Sequence, residues 1–158
     1  MNVIEGNITG VKGKVGIVKT RWNEFITDRL FEGAVNRLKQ LGINEDKVVS
    51  VKCPGAYEIP YTARQLIEHT SVEGVICLGV VIRGDTPHFD YVAGAVNSGI
   101  QQLNMQYDKP AIFGVLTTDS IEQAVERAGT KAGNKGAEVA EALVEMISLS
   151  TQIRKFKG

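Results

Sequence analysis

The chain is short of cysteine, tryptophan and histidine, and it has no surplus of charge of either sign. Cys53 and Cys77 are the only cysteines among 158 residues, each inside a strand-like run. A disulfide framework is therefore not expected, both thiols read as buried structural groups, and a reducing cytoplasm is the expected home. His88 with Asp90 offers too few ligands for a metal, and no Cys or His cluster completes a site. With 18 basic and 18 acidic residues and a pI near 6.7, no broad field favours nucleic acid or an anionic membrane. Any phosphate chemistry must come from a local site. No apolar run approaches membrane-spanning length, and the opening MNVIEGNITG has no basic region followed by an apolar one. The expectation is a protein neither secreted nor membrane-bound. Linkers, repeats, charge runs and low-complexity segments are also missing, so a single domain is expected over residues 1–158.

What is present suffices for a core without metals or disulfides. A chain of this length buries roughly two thirds of its unfolded surface, and 43% hydrophobic with 23% charged residues is ordinary for a globular domain. From Lys14 the pattern alternates in type. KVGIVKT reads as a strand, then Asn23 to Leu41 has helical spacing through Phe25, Leu30, Ala34, Leu38 and Leu41 and stops at Gly42. VVSVKC reads as a strand, Tyr57 to His69 as a helix, and GVICLGVVI as a strand too apolar to be half solvated. His88 to Tyr107 reads as a helix, AIFGVLT as a fourth strand, and Ser120 to Ala128 and Lys135 to Ile153 as closing helices. Such alternation predicts right-handed crossovers, a parallel sheet and an α/β three-layer sandwich, in which ligands sit outside the carboxyl ends of the strands. VIEGNI, before the first of these strands, has strand character but no helix to pack it, and is expected to pair outside its own domain.

The residues after each strand are therefore the ones to question. After the first comes Thr20-Arg21-Trp22-Asn23, where Asn23 can cap the next helix. Trp22, the lone tryptophan, reads either as a cover for the sheet edge or as a stacking platform, and its position favours the platform. After the second comes Cys53-Pro54-Gly55-Ala56-Tyr57-Glu58-Ile59-Pro60, which exposes backbone N–H groups at a helix start. Glu58 could serve the helix dipole or accept hydrogen bonds from a hydroxylated ligand. After the third, Arg83-Gly84-Asp85-Thr86-Pro87 leads into His88, and amides at such a turn with the Thr86 hydroxyl suit an anion. His88, beside that cradle, can give or take a proton near neutral pH. After the fourth, Thr117-Thr118-Asp119 is expected to cap the next helix, and Phe113 reads as core by default. ERAGTKAGNKG carries Arg127, Lys131 and Lys135 but lacks the Lys-Ser/Thr pair of a nucleotide loop. Arg127, with a guanidinium that suits phosphate bidentately, is harder to dismiss as a solvated charge than Lys131.

GVVIRGDTPHFDYV, PGAYEIP and FGVLTTDSIEQAVERAGTKAGNKG, in that register, closely resemble the 6,7-dimethyl-8-ribityllumazine synthase family of riboflavin biosynthesis. The resemblance implies a flavodoxin-like fold and a cofactor-free condensation of 5-amino-6-(D-ribitylamino)uracil with 3,4-dihydroxy-2-butanone 4-phosphate, releasing phosphate and water. By position, Trp22 would stack on the pyrimidine, Ala56 and Glu58 beside Tyr57 would hold the ribityl chain, and the backbone of Val81 and Ile82 beside Val80 would read the uracil edge. Gly84, Asp85, Thr86 and Arg127 would bind phosphate, Phe113 and Lys135 would line the site, and His88 would shuttle protons. The resemblance also implies a site shared between neighbouring subunits, with Phe113 and Arg127 supplied by the adjacent chain. It further implies small-molecule substrates, a pentamer with the N-terminal strand added to a neighbour, twelve pentamers in an icosahedral shell favoured by the compact AGTKAGNKG turn, and association with riboflavin synthase. No nucleic acid or membrane partner is implied. One departure stands out: position 85 is often small and neutral in the family, and Asp85 would weaken phosphate binding if it faced inward but matter little if it faced solvent. A flavin- or lumazine-binding module without turnover, or a shell-forming protein, are the competing readings. A pure binder has no need of His88 and Arg127 around one phosphate cradle.

Overall fold

The computed structural model describes all 158 residues. β1 (Lys14–Thr20) turns into α1 (Glu24–Gln40), and β2 (Val48–Cys53) passes through a 3-10 turn at Ala56–Glu58 into α2 (Ile59–His69). β3 (Val72–Ile82) precedes α3 (His88–Gln106), and β4 (Ala111–Thr118) precedes α4 (Ile121–Arg127). A short hairpin of β5 (Ala128–Thr130) and β6 (Gly133–Asn134) then leads into the closing α5 (Lys135–Lys155).

The four long strands pair in the order β2-β1-β3-β4, all parallel. Side chains of a strand alternate between faces, and both faces are covered here. Val15 and Ile17 with Ile76, Leu78 and Val80 join one apolar cluster with residues of α1 and α5. Val18 with Val75, Cys77 and Val81 joins another with residues of α2 and α3. That double coverage is why β3 is a continuous apolar run rather than an alternating one. The result is a flavodoxin-like three-layer sandwich. The chain moves to one side of β1 to place β2 and to the other to place β3, so the reversal of strand order opens a crevice between the carboxyl ends of β1 and β3.

β1 and β2 have the bounds expected from the sequence, and the helices shift at their ends by a few residues at most, as fraying termini do. Three expectations are corrected. Asn23 does not cap α1: it adopts a left-handed conformation (φ 58°) and makes no side-chain capping bond. Phe25 points outward, and Ile26 takes the buried place one turn before Leu30, because a spacing of four keeps to one helix face and a spacing of five leaves it. The cap of α4 is Ser120, whose hydroxyl accepts from the Gln123 amide, while Thr118 donates to the Ser120 carbonyl. VIEGNI forms no strand within the chain and lies against α5, where the Asn7 amide donates to Ser148 Oγ at 3.0 Å. The β5–β6 hairpin was not anticipated; Gly129 and Gly133 have φ of 114° and 76°, values that glycine adopts without strain. No helix is long and apolar enough to cross a membrane.

Candidate active site

A pocket of about 500 Å³ occupies the crevice between β1 and β3. Four segments build it. The first is the turn after β1: the Arg21 amide donates to Cys53 O at 2.8 Å and the Trp22 amide to Pro54 O at 3.0 Å, which carries the β1–β2 ladder one step beyond the strands. Thr27 Oγ1 donates to Thr20 O at 2.9 Å and fixes the entry into α1 from beneath. With Asn23 in its left-handed turn, the Trp22 ring lies across Gly55. A Cβ at position 55 would stand 2.3 Å from the indole, so the glycine is required by the close approach of the ring.

The second segment is the turn after β2. Gly55 N donates to Glu58 Oε2 at 3.1 Å, so Glu58 does perform the helix-start role considered for it. Its other carboxylate oxygen has no hydrogen-bond partner within the chain. Ala56 is buried and Tyr57 exposed, both on the pocket wall. The third segment is the end of β3, where Val80, Val81 and Ile82 form the floor. The fourth is the start of α3. His88 stands exposed at its first position, and Tyr91 and Val92 follow on the same face. These two were missed from the sequence; their spacing of three and four from His88 is the signal that would have found them.

Between the third and fourth segments runs the exposed turn Gly84–Pro87. The amides of Gly84, Asp85 and Thr86 donate to no group of the chain, leaving three N–H donors beside the positive end of α3. Asp85 is exposed and forms no ion pair within the chain.

The remaining expected residues are not gathered here. Phe113 sits midway along edge strand β4, opposite Cys77 and half-buried against the α2/α3 layer. Arg127 is exposed at the end of α4, where Nη1 donates to Gln123 O at 3.0 Å. Lys135 begins α5 and pairs with Glu138 at 2.7 Å. None of the three lines the pocket. Within one chain, the pocket brings together an exposed indole ring, a carboxylate oxygen without a partner, the end of β3 and an imidazole beside three unpartnered amides, and no Lys or Arg lines it.

The cysteines lie outside the chemistry. Both are buried. Burial pushes the Cys77 thiol up to about 12 and raises that of Cys53, so neither is a thiolate near neutrality. Compared with known families, the chain matches the model described as 6,7-dimethyl-8-ribityllumazine synthase over residues 12–151, a span that includes all four segments of the pocket.

Proposed function

From the premise that the chain belongs to the 6,7-dimethyl-8-ribityllumazine synthase family, a family of transferases, we propose that it condenses 5-amino-6-(D-ribitylamino)uracil with 3,4-dihydroxy-2-butanone 4-phosphate, releasing phosphate and water. The observation that carries the reading is the adjacency of three unpartnered amides at Gly84–Thr86 to His88, on the rim of a pocket walled by Trp22. Trp22 stacks on the pyrimidine, Val81 and Ile82 present backbone groups to the uracil edge, and the free oxygen of Glu58 accepts from a ribityl hydroxyl. The cradle holds the phosphate of the second substrate and stabilises it as it leaves. His88 moves the protons that imine formation and phosphate loss require. Catalysis by positioned donors and a single acid–base group fits a reaction between two held reactants.

Phe113, Arg127 and Lys135 complete the site from an adjacent copy. Two features support that assignment. The cradle lacks a cation within its own chain, and Trp22, Tyr57 and Tyr91 are 58%, 63% and 73% exposed around the pocket, an aromatic rim suited to a covering subunit. A head-to-tail contact of this kind closes into a ring when its rotation permits, and a ring of five is the assembly proposed, with twelve rings forming a shell. The test is turnover: incubating the protein with both substrates should generate the lumazine chromophore and inorganic phosphate together. Binding of the pyrimidine with no chromophore would favour a non-catalytic binder instead.

A further inference from the structure

We propose that Arg83 is a positioning residue for this reaction, fastening the phosphate turn and the first turn of α3 to the turn that leads into α4. The proposal rests on the roles given above to His88 and to the Gly84–Thr86 amides. Arg83 is the first residue after β3, and its own amide donates to Thr118 O at 2.8 Å, so its backbone is fixed by the edge of the sheet. Its side chain then makes three contacts. Nε donates to Asp119 Oδ1 at 2.9 Å, Nη1 lies 3.5 Å from Asp90 Oδ1, and the guanidinium carbon stands 4.3 Å from the centre of the Phe89 ring. Phe89 is in turn packed against the α2/α3 layer.

The consequence is geometric. Residues 84–87 form a short turn whose amides are unpartnered, and one side chain ties its beginning to Phe89 and Asp90 just beyond its end. His88 lies between the turn and those two anchors. The brace also extends the other way, because the Asp119 amide donates to Gln123 Oε1 at 2.8 Å and Gln123 O accepts from Arg127. Arg83 thus links the cradle of one site to the helix that presents Arg127. Two carboxylates occupy the guanidinium and, led by the hydrogen bond to Asp119, raise its pKa, so its charge is permanent. Bridging two carboxylates while lying on a ring needs a planar fork, which lysine lacks. The three charged side chains are all exposed, and exposed ion pairs add little to fold stability. A large effect on rate with a small one on melting is therefore the mark of positioning.

Steady-state kinetics of Arg83→Ala, Arg83→Lys, Asp90→Asn and Asp119→Asn in the intact assembly test the idea, with melting temperature measured in parallel. Arg83→Ala should lower kcat about tenfold and raise KM for the phosphorylated substrate several-fold, leave KM for the pyrimidine within about twofold, and melt close to wild type. Arg83→Lys should recover only a small part. Asp90→Asn should add nothing further in the Arg83→Ala background, since both remove one brace. Wild-type kcat in Arg83→Ala, full rescue by lysine, or additive losses would each overturn the proposal. His88→Ala and the wild type serve as the reference: if they turn over equally, the assignment of the site is at fault, whereas a slowed His88→Ala beside an unaffected Arg83→Ala refutes the role of Arg83 alone.

Discussion

At the scale of single residues, the proposed chemistry divides between His88 and the amides beside it. Replacing His88 with alanine should lower kcat by roughly a hundredfold or more, because that is what a positioned proton carrier contributes. The cradle and the Trp22 wall should still bind both substrates, so near wild-type rates across neutral pH would remove the role. Arg127→Ala should instead raise KM for the butanone phosphate by about tenfold to a hundredfold, the worth of a charge-assisted contact, with the pyrimidine little affected. Lysine at 127 should rescue only in part. Cys77 offers an independent check on the core. Its thiol ionises at about 12 in the fold against an ordinary value of 9.0. In that window the unfolded chain has lost the proton and the folded chain keeps it, so stability is full below 9 and falls as pH rises. The contribution of this one group is about 1.4 kcal/mol per pH unit. Urea unfolding of wild type and Cys77→Ala across that range should show the steeper decline in wild type, and equal slopes would mean the thiol is not held neutral.

At the scale of elements, the contact between α1 and α5 holds the Arg127 side of the molecule together. Gly136 sits in the first turn of α5, where an added Cβ would lie 1.9 Å from the Leu30 carbonyl oxygen. A backbone oxygen cannot step aside as a side chain can, so the two helices must separate. Gly136→Ala should therefore cost about 1–3 kcal/mol, the usual range for overpacking, read as a lowered denaturant midpoint at constant m-value. Asn134 explains how the hairpin feeds this contact. Its carbonyl oxygen accepts from the Ala137 amide to cap α5, while its amide nitrogen donates to Arg29 O in α1 and Ala128 O in β5. One side chain thus fixes the hairpin between two helices.

For the whole molecule, no Lys or Arg of the single chain lines the pocket and its aromatic rim is uncovered, and the proposed assembly accounts for both. A chain of 17.2 kDa gives about 86 kDa for a ring of five and about 1 MDa for twelve such rings, which light scattering separates readily. A megadalton particle is expected. A ring-sized species would remove the shell and keep the shared site, and a monomer that turned over both substrates would remove the shared site itself.

The sequence by itself determined the α/β alternation, the buried central strand and most of the pocket, because those rest on local signals: period-two and period-3.6 patterning, and polar residues placed directly after apolar runs. Glu58 and His88 follow from position once strand ends are known to carry ligands, while Val80, Val81 and Ile82 entered through the resemblance to the family. Tertiary structure decided what depends on contacts between distant segments. Asn23 gave up its capping role to a left-handed turn that brings Trp22 onto Gly55, and Phe25 yielded its place in the core to Ile26. Tyr91 and Val92 joined the pocket through the way α3 docks, and Arg83 found Asp119 thirty-six residues away. A local pattern records which face of an element is apolar; which side chains then meet across the elements is settled only when those faces pack.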